Sequence, residues 1–271
     1  MKKLVSFMPY CIWMVLFVVT PTIIVICFGF LNENYNITLD NMLKIGGYIK
    51  IIAKSLIFTT LATAVCLLIA YPFSYFLSKV KSNMLKKICV VLITIPMWTN
   101  LLLRTYSWMA ILEKNGLLNN ILKIFNIGPI RIINTPIAII LVMAYDFLPF
   151  MIMPIYSAIS KIDINIIQAS EDLGASKMKT FRFIILPLST SGIISGVSIV
   201  FVSCACSFLI PRLLGGGSNV LIGELIESQF MGTIYNPWFG SALATFFMLL
   251  IVIIMAISNR FKKNETENLV V

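Results

Sequence analysis

Asp146 is the residue of this chain that most invites a chemical reading, because it is the single charge in an apolar run from Pro136 to Ser160. A carboxylate at that depth is costly in hydrocarbon, and such groups commonly mark ion or substrate paths. A carboxylate beside aromatic faces would hold an organic cation, and Trp98, Tyr106 and Trp108 offer such faces. Two structural readings stand beside this one: Asp146 pairs with Arg104 or a partner subunit, and the aromatics form the belt at the outer interface. Covalent catalysis has no comparable support. The chain holds no histidine, which removes Ser-His-Asp and HExxH chemistry. Its cysteines (Cys11, Cys27, Cys66, Cys89, Cys204 and Cys206) form no Cys-x-x-Cys pair and are expected as small buried hydrophobes. The run Gly215-Gly216-Gly217-Ser218 lacks the lysine and the spacing of a phosphate-binding loop. No catalytic residue, metal site or cofactor is therefore expected, and the chain is not expected to hydrolyse ATP itself.

The elements that must position these residues are membrane helices. Of the 271 residues, 59% are hydrophobic and 12% charged, with a mean hydropathy of +0.96. That is well beyond the apolar share of soluble domains. A helix of about 20 apolar residues crosses the hydrocarbon with its backbone groups satisfied internally. Six segments meet that need: Met8 to Phe30, Ser55 to Leu77, Ile88 to Leu112, Pro136 to Ser160, Thr190 to Leu213 and Phe239 to Ser258. The first follows Lys2-Lys3 and is read as an uncleaved helix, not a secretory leader. The expected fold is all-α, a polytopic bundle of six transmembrane helices.

The net charge of +10 sits in short clusters between apolar blocks, which argues for membrane orientation and against nucleic acid. With the N-terminus inside, thirteen of the 21 basic residues fall on the cytoplasmic side: Lys2, Lys3, Lys79, Lys81, Lys86, Lys87, Lys161, Lys177, Lys179, Arg182, Arg260, Lys262 and Lys263. The positive-inside rule then places both termini in the cytoplasm. Pro21, Pro72, Pro96, Pro149 and Pro154 are expected to bend their helices. Gly192 and Gly196 form a small-xxx-small step for close backbone approach. Glu224 and Glu227 are expected as solvated residues of an outer loop, and the polar tail near Asn264 to Asn268 as disordered.

The longest cytoplasmic segment, Lys161 to Ser189, contains more than a linker. In its middle Ile166, Ala169, Ser170 and Leu173 recur at helical spacing, with Gln168, Glu171 and Asp172 towards the other side. A short amphipathic helix along the membrane is expected, ended by Gly174 and followed by a spanning helix entered at Pro187.

These residues resemble the EAA loop of the permease subunits of ABC importers, whose pattern is Glu-Ala-Ala, three residues, Gly, nine residues, then Ile-x-Leu-Pro. Gln168-Ala169-Ser170, Gly174 and Ile184-Ile185-Leu186-Pro187 fall at that spacing, with Gln168 in place of the usual Glu and Ser170 in place of the second Ala. The resemblance implies that Gln168, Ala169, Ser170, Glu171, Asp172, Leu173, Gly174 and Ala175 form the segment that couples to the ATPase.

From about residue 50 onward the chain also resembles the permeases of spermidine/putrescine importers, the first of their two permeases in particular. The resemblance rests on Ile95-Pro96-Met97-Trp98-Thr99-Asn100 with Arg104-Thr105-Tyr106, on Asn115-Gly116-Leu117-Leu118-Asn119 and on Phe147-Leu148-Pro149-Phe150-Met151. A further stretch is Leu213-Leu214-Gly215-Gly216 with Leu221-Ile222-Gly223 and Gln229-Phe230. It implies a type I ABC importer permease: an N-terminal helix and outer loop over 1–54, the transporter membrane domain over 55–258 and a cytoplasmic tail over 259–271. The implied partners are a second permease in a heterodimer, a dimeric cytoplasmic ATPase and an extracytoplasmic substrate-binding protein, in a bacterial cell membrane. Asp146, Trp98, Asn100, Tyr106 and Trp108 are then the expected substrate path.

Overall fold

A computed structural model of the chain describes the backbone of residues 2–232 and 235–268 and the side chains of 8–232 and 235–258. The side chains of Lys2, Lys3, Arg260, Lys262 and Lys263, used above for orientation, lie outside that range. The described elements are helical in order: α1 (Lys2–Met14), α2 (Thr20–Gly29), α3 (Asp40–Lys44), α4 (Ile49–Lys79), α5 (Asn83–Trp98), α6 (Leu101–Leu112) and α7 (Leu117–Ile124). They continue with α8 (Pro136–Ser160), α9 (Ile164–Asp172), α10 (Lys177–Thr180), α11 (Leu186–Ala205), α12 (Leu209–Leu214), α13 (Ile222–Met231) and α14 (Pro237–Asn268).

Among the described residues, five helical stretches are long and apolar enough to cross a membrane: Met8–Gly29, Asp40–Lys79, Pro136–Ser160, Lys177–Ala205 and Pro237–Ser258. A sixth span exists if the bent pair Asn83–Trp98 and Leu101–Ile124 counts as one. The segment expected as one span over Ile88 to Leu112, with a bend at Pro96, is broken by a turn of 95°. The turn is locally encoded. Pro96 has no N–H to donate and the helix stops two residues later, where Thr99 Oγ1 donates to Pro96 O at 2.8 Å. Asn100 then caps the restart, its Oδ1 accepting from Leu102 N at 2.8 Å.

The expected fifth span is also displaced. It begins at Lys177 and ends at Ala205, with α12 a separate short helix. Pro187 does not break this stretch, because a π-helical turn over Phe181–Ile185 precedes it. Val15–Val19 forms a second π turn, just before Pro21. A wider turn relieves the clash of the proline ring with the carbonyl four residues earlier. At the other end of the chain, α14 runs to Asn268 and so includes Asn264 to Asn268, which were expected as a disordered tail. A helix already nucleated by a spanning segment extends at little cost per added residue.

The core lies between α4, α8 and α11, where Ala62, Cys66, Ile139, Met143, Met151, Ile155 and Val200 are buried. Three side-chain hydrogen bonds stitch it. Cys66 Sγ donates to Ala144 O at 3.0 Å, Ser74 Oγ donates to Ile152 O at 3.1 Å, and Tyr71 Oη meets Ser189 Oγ at 3.0 Å. Such bonds add to van der Waals packing, which drives helix association in lipid. A second cluster joins α14 to Ile52 and Ile222 through Phe239 and Leu243. The first span packs along α14, where a Cβ on Gly29 would stand 3.1 Å from the Ala242 backbone. Burial of the cysteines holds for Cys66 and Cys204; Cys27 and Cys206 are exposed and all six are free.

The small-xxx-small step sits at the crossing of α11 on α8. A Cβ on Gly192 would lie 2.5 Å from Ala158 Cβ and 2.7 Å from Pro154 O, and one on Gly196 would lie 2.8 Å from Met151 Sδ. Gly192→Leu is therefore expected to destabilise the bundle by about 1–3 kcal/mol or more, the range for overpacking. The check is the thermal unfolding midpoint in detergent, with Ser195→Leu on the same helix as control.

Candidate functional site

Two regions of the fold carry polar chemistry at positions that packing alone does not require. The first is the segment between α8 and α11. Asp163 starts α9 as its cap, Oδ1 accepting from Asn165 N at 2.9 Å. Gly174 ends it with φ +83°, a left-handed conformation that favours glycine. The backbone bonds Gly174 N to Glu171 O (2.9 Å) and Ala175 N to Ser170 O (3.0 Å) complete a Schellman turn. No atom lies within 4 Å of where a Gly174 Cβ would stand, so the constraint is the dihedral and not crowding.

The face of α9 that packs differs from the one expected. Ile167 is half-buried and Ser170 buried, whereas Ile166, Ala169 and Leu173 are exposed, Leu173 by 89%. The Ser170 and Thr180 hydroxyls meet at 2.9 Å in a buried contact that ties α9 to α10, and Ser170 Oγ also donates to Ile167 O at 2.8 Å. The serine that departs from the Glu-Ala-Ala pattern is thus the brace of this segment. Gln168, Glu171 and Asp172 are exposed, and Ala175 is half-buried.

From Thr180 the chain runs as helix into α11, and Phe181 packs edge-on against Tyr71 and Tyr75 of α4 at centroid distances of 5.8 and 5.1 Å. The unit from α9 to the core is therefore mechanically continuous. Ser170→Ala is expected to leave the Thr180 hydroxyl without its partner at a cost of about 1–3 kcal/mol. Ser170→Ala with Thr180→Val should recover most of that loss, as read by hydrogen exchange of α9.

The second region is the contact of α6 with α8. Asp146 is fully buried, and Arg104 Nη1 lies 3.4 Å from Asp146 Oδ1. Neither carboxylate oxygen has a hydrogen bond, nor do Arg104 Nε and Nη1. The pair is one of charges alone, at an ill-fitting distance. Trp108, one turn beyond Arg104, stacks edge-on against Tyr145 at 5.1 Å. Thr105 and Leu112 are buried on the same side.

The other residues read as a substrate path are not gathered at Asp146. Tyr106 is exposed, away from the side of α6 that carries Thr105 and Trp108, and Trp98 is 89% exposed at the elbow. Asn100 is the cap described above. The structure pairs Arg104 with Asp146 and Trp108 with Tyr145, and Tyr145 escaped sequence reasoning. Its signal was present, since it adjoins the lone carboxylate.

Glu224 and Glu227 belong to α13 and are not solvated loop residues. Arg212 Nη1 donates to both carboxylate oxygens of Glu227 at 2.6 Å, and the Glu227 side chain is only 19% exposed. Burial lifts the Glu224 carboxyl above the ordinary carboxylate range, with Arg212 opposing that shift.

Against this geometry, comparison with known proteins is specific. Residues 4–263 match the family described as binding-protein-dependent transport system inner membrane component. The spermidine/putrescine transport system permease protein PotB of Haemophilus influenzae is 36% identical over 269 residues, covering 94% of this chain and 93% of that protein. PotB of Escherichia coli is 38% identical over 241 residues, covering 85% and 86%. A bacterial alginate ABC transporter, solved in complex with its alginate pentasaccharide-bound periplasmic protein, superposes with a TM-score of 0.79 over 97% of this chain and 94% of the matched one. At 16% identity that likeness establishes the fold. The chain belongs to the family of inner-membrane permease components of binding-protein-dependent transport systems.

Proposed function

We propose that this chain is one of two permeases of an ATP-driven polyamine importer, carrying spermidine or putrescine. The observation that carries the cargo is 36–38% identity to PotB permeases over most of both chains. On this reading a second, similar permease completes the translocation path, a dimeric ATPase engages the cytoplasmic side and an extracytoplasmic binding protein delivers cargo. The chain lies in a bacterial cytoplasmic membrane with both termini inside; residues 55–258 form the transporting domain, 1–54 its N-terminal helix and outer loop, and 259–271 its tail.

The coupling role falls to Gln168–Ala175. Support comes from the exposed Ile166, Ala169 and Leu173, which leave an apolar strip open to a partner, and from the rigid attachment of α9 through Ser170, Thr180 and Phe181 to the core. A lever needs stiffness and a complementary face, not a reactive group. Nucleotide binding and hydrolysis in the partner then shift the populations of outward-open and inward-open states. Asp146 supplies a carboxylate to the path, covered by Arg104 in the present conformation, with Trp108 one turn along α6 from Arg104; Trp98 and Tyr106 remain available to the second permease. A flexible polycation with apolar methylenes suits such a mixture.

The test is ATP hydrolysis by the purified complex as its binding protein is titrated, empty or loaded. Stimulation by the spermidine-loaded protein above the empty one supports the reading. Stimulation by another solute with none by spermidine or putrescine would move the cargo elsewhere.

A further inference from the structure

A cavity of about 650 Å³ opens between the C-terminal end of α4, the N-terminal end of α5 and helices α9 and α10. Lys79, Lys81, Lys86 and Lys177 line it, against one carboxylate, Glu171. Gln168, which stands where the family pattern has Glu, lines it as well and contributes no charge. The ion pairs among the described residues are Arg104–Asp146 and Arg212–Glu227, so none of these four lysines is within 4.0 Å of a carboxylate. Lys79 instead lies 4.2 Å over the Tyr75 ring. Four lysines lining one concavity with a single acid concentrate positive charge there, and a counter-anion from outside offsets it. The remaining wall is apolar, formed by Ile162, Ile167 and Ile185 among others. A cationic rim over an apolar wall, at the ends of two apolar helices, matches the phosphate and glycerol of an anionic phospholipid.

We propose that this cavity binds the headgroup of an anionic phospholipid, its phosphate held by Lys79, Lys81, Lys86 and Lys177 and its glycerol region against the isoleucine wall. Because α9 forms part of the cavity, the bound lipid braces the lever described above against the α4–α5 corner. The site itself does not depend on the cargo; only its assignment to the cytoplasmic leaflet rests on the proposed orientation.

The experiment measures binding of dihexanoyl phosphatidylglycerol, dihexanoyl phosphatidylcholine and inorganic phosphate to the purified transport complex in a neutral detergent. Phosphatidylglycerol should bind and phosphatidylcholine should not. Lys79→Gln and Lys86→Gln should each weaken phosphatidylglycerol by about fivefold, the loss typical of one lysine near an anionic surface. Lys87→Gln, on the same corner but outside the cavity, should leave it unchanged and controls for general charge and folding.

Equal weakening by Lys87→Gln, or none by Lys79→Gln and Lys86→Gln, would overturn the site. Inorganic phosphate binding as tightly as the lipid would overturn its assignment to a lipid. Loss of the ATPase from the Lys79→Gln or Lys86→Gln complex with unchanged lipid affinity would overturn it in favour of a protein carboxylate.

Discussion

Asp146→Ala is expected to destabilise the permease by about 3–5 kcal/mol, because it strands Arg104 in the α6–α8 contact without a counter-charge. The pair is held by charge alone, with a separation of 3.4 Å and no hydrogen bond on the atoms that face each other. Its attraction does little more than offset the burial of two ions, whereas removal of either one exposes the full burial cost of the other. Arg104→Met combined with Asp146→Leu should therefore recover most of the loss. The measurement is a double-mutant cycle of unfolding midpoints in detergent. Additive losses, with no recovery in the double variant, would show that the two side chains do not depend on each other.

Gly174→Trp should have the second large effect, on coupling more than on stability. At φ +83° any side chain costs about 1–2 kcal/mol. The Cβ meets nothing within 4 Å, so the indole would project into the space on which a partner must close. The variant is expected to insert and assemble but to lose substrate-stimulated ATP hydrolysis. Gly174→Ala, which carries the backbone strain without the bulk, should retain most of it. Normal stimulation in Gly174→Trp would count against docking at this segment.

The spans were legible because hydropathy alone sets the cost of each segment in lipid: three of the six expected segments coincide closely with observed helices, and Ser55 to Leu77 lies inside the longer Asp40–Lys79. A bend at Pro96 was expected, but not a 95° break of the span, since Ile88 to Leu112 is apolar on both sides of Thr99 and an average over the run hides it. Its local signals were a proline followed by an asparagine cap, and Asn100 was read for the chemistry of its amide instead of for the N–H it satisfies. The inner face of α9 failed for a different reason. Ile166 and Ile167 are adjacent, so periodicity alone offers either as the buried one. The choice falls to Thr180, which holds Ser170 inward and carries Ile167 with it. Glu227 shows the same limit, because its partner Arg212 lies on another helix and leaves no mark in local spacing. By contrast Gly174 and the Gly192–Gly196 step were readable in advance. Each is fixed by backbone geometry that only glycine accommodates, a positive φ in one case and a close helix crossing in the other.

The most direct measurement of the central claim is uptake of labelled spermidine into proteoliposomes holding the permease pair, the ATPase and the binding protein. ATP-dependent accumulation that unlabelled putrescine competes, and that Gly174→Trp abolishes while the complex stays assembled, is the predicted result. Accumulation that proceeds without ATP, or transport of a different solute with neither polyamine competing, would contradict it.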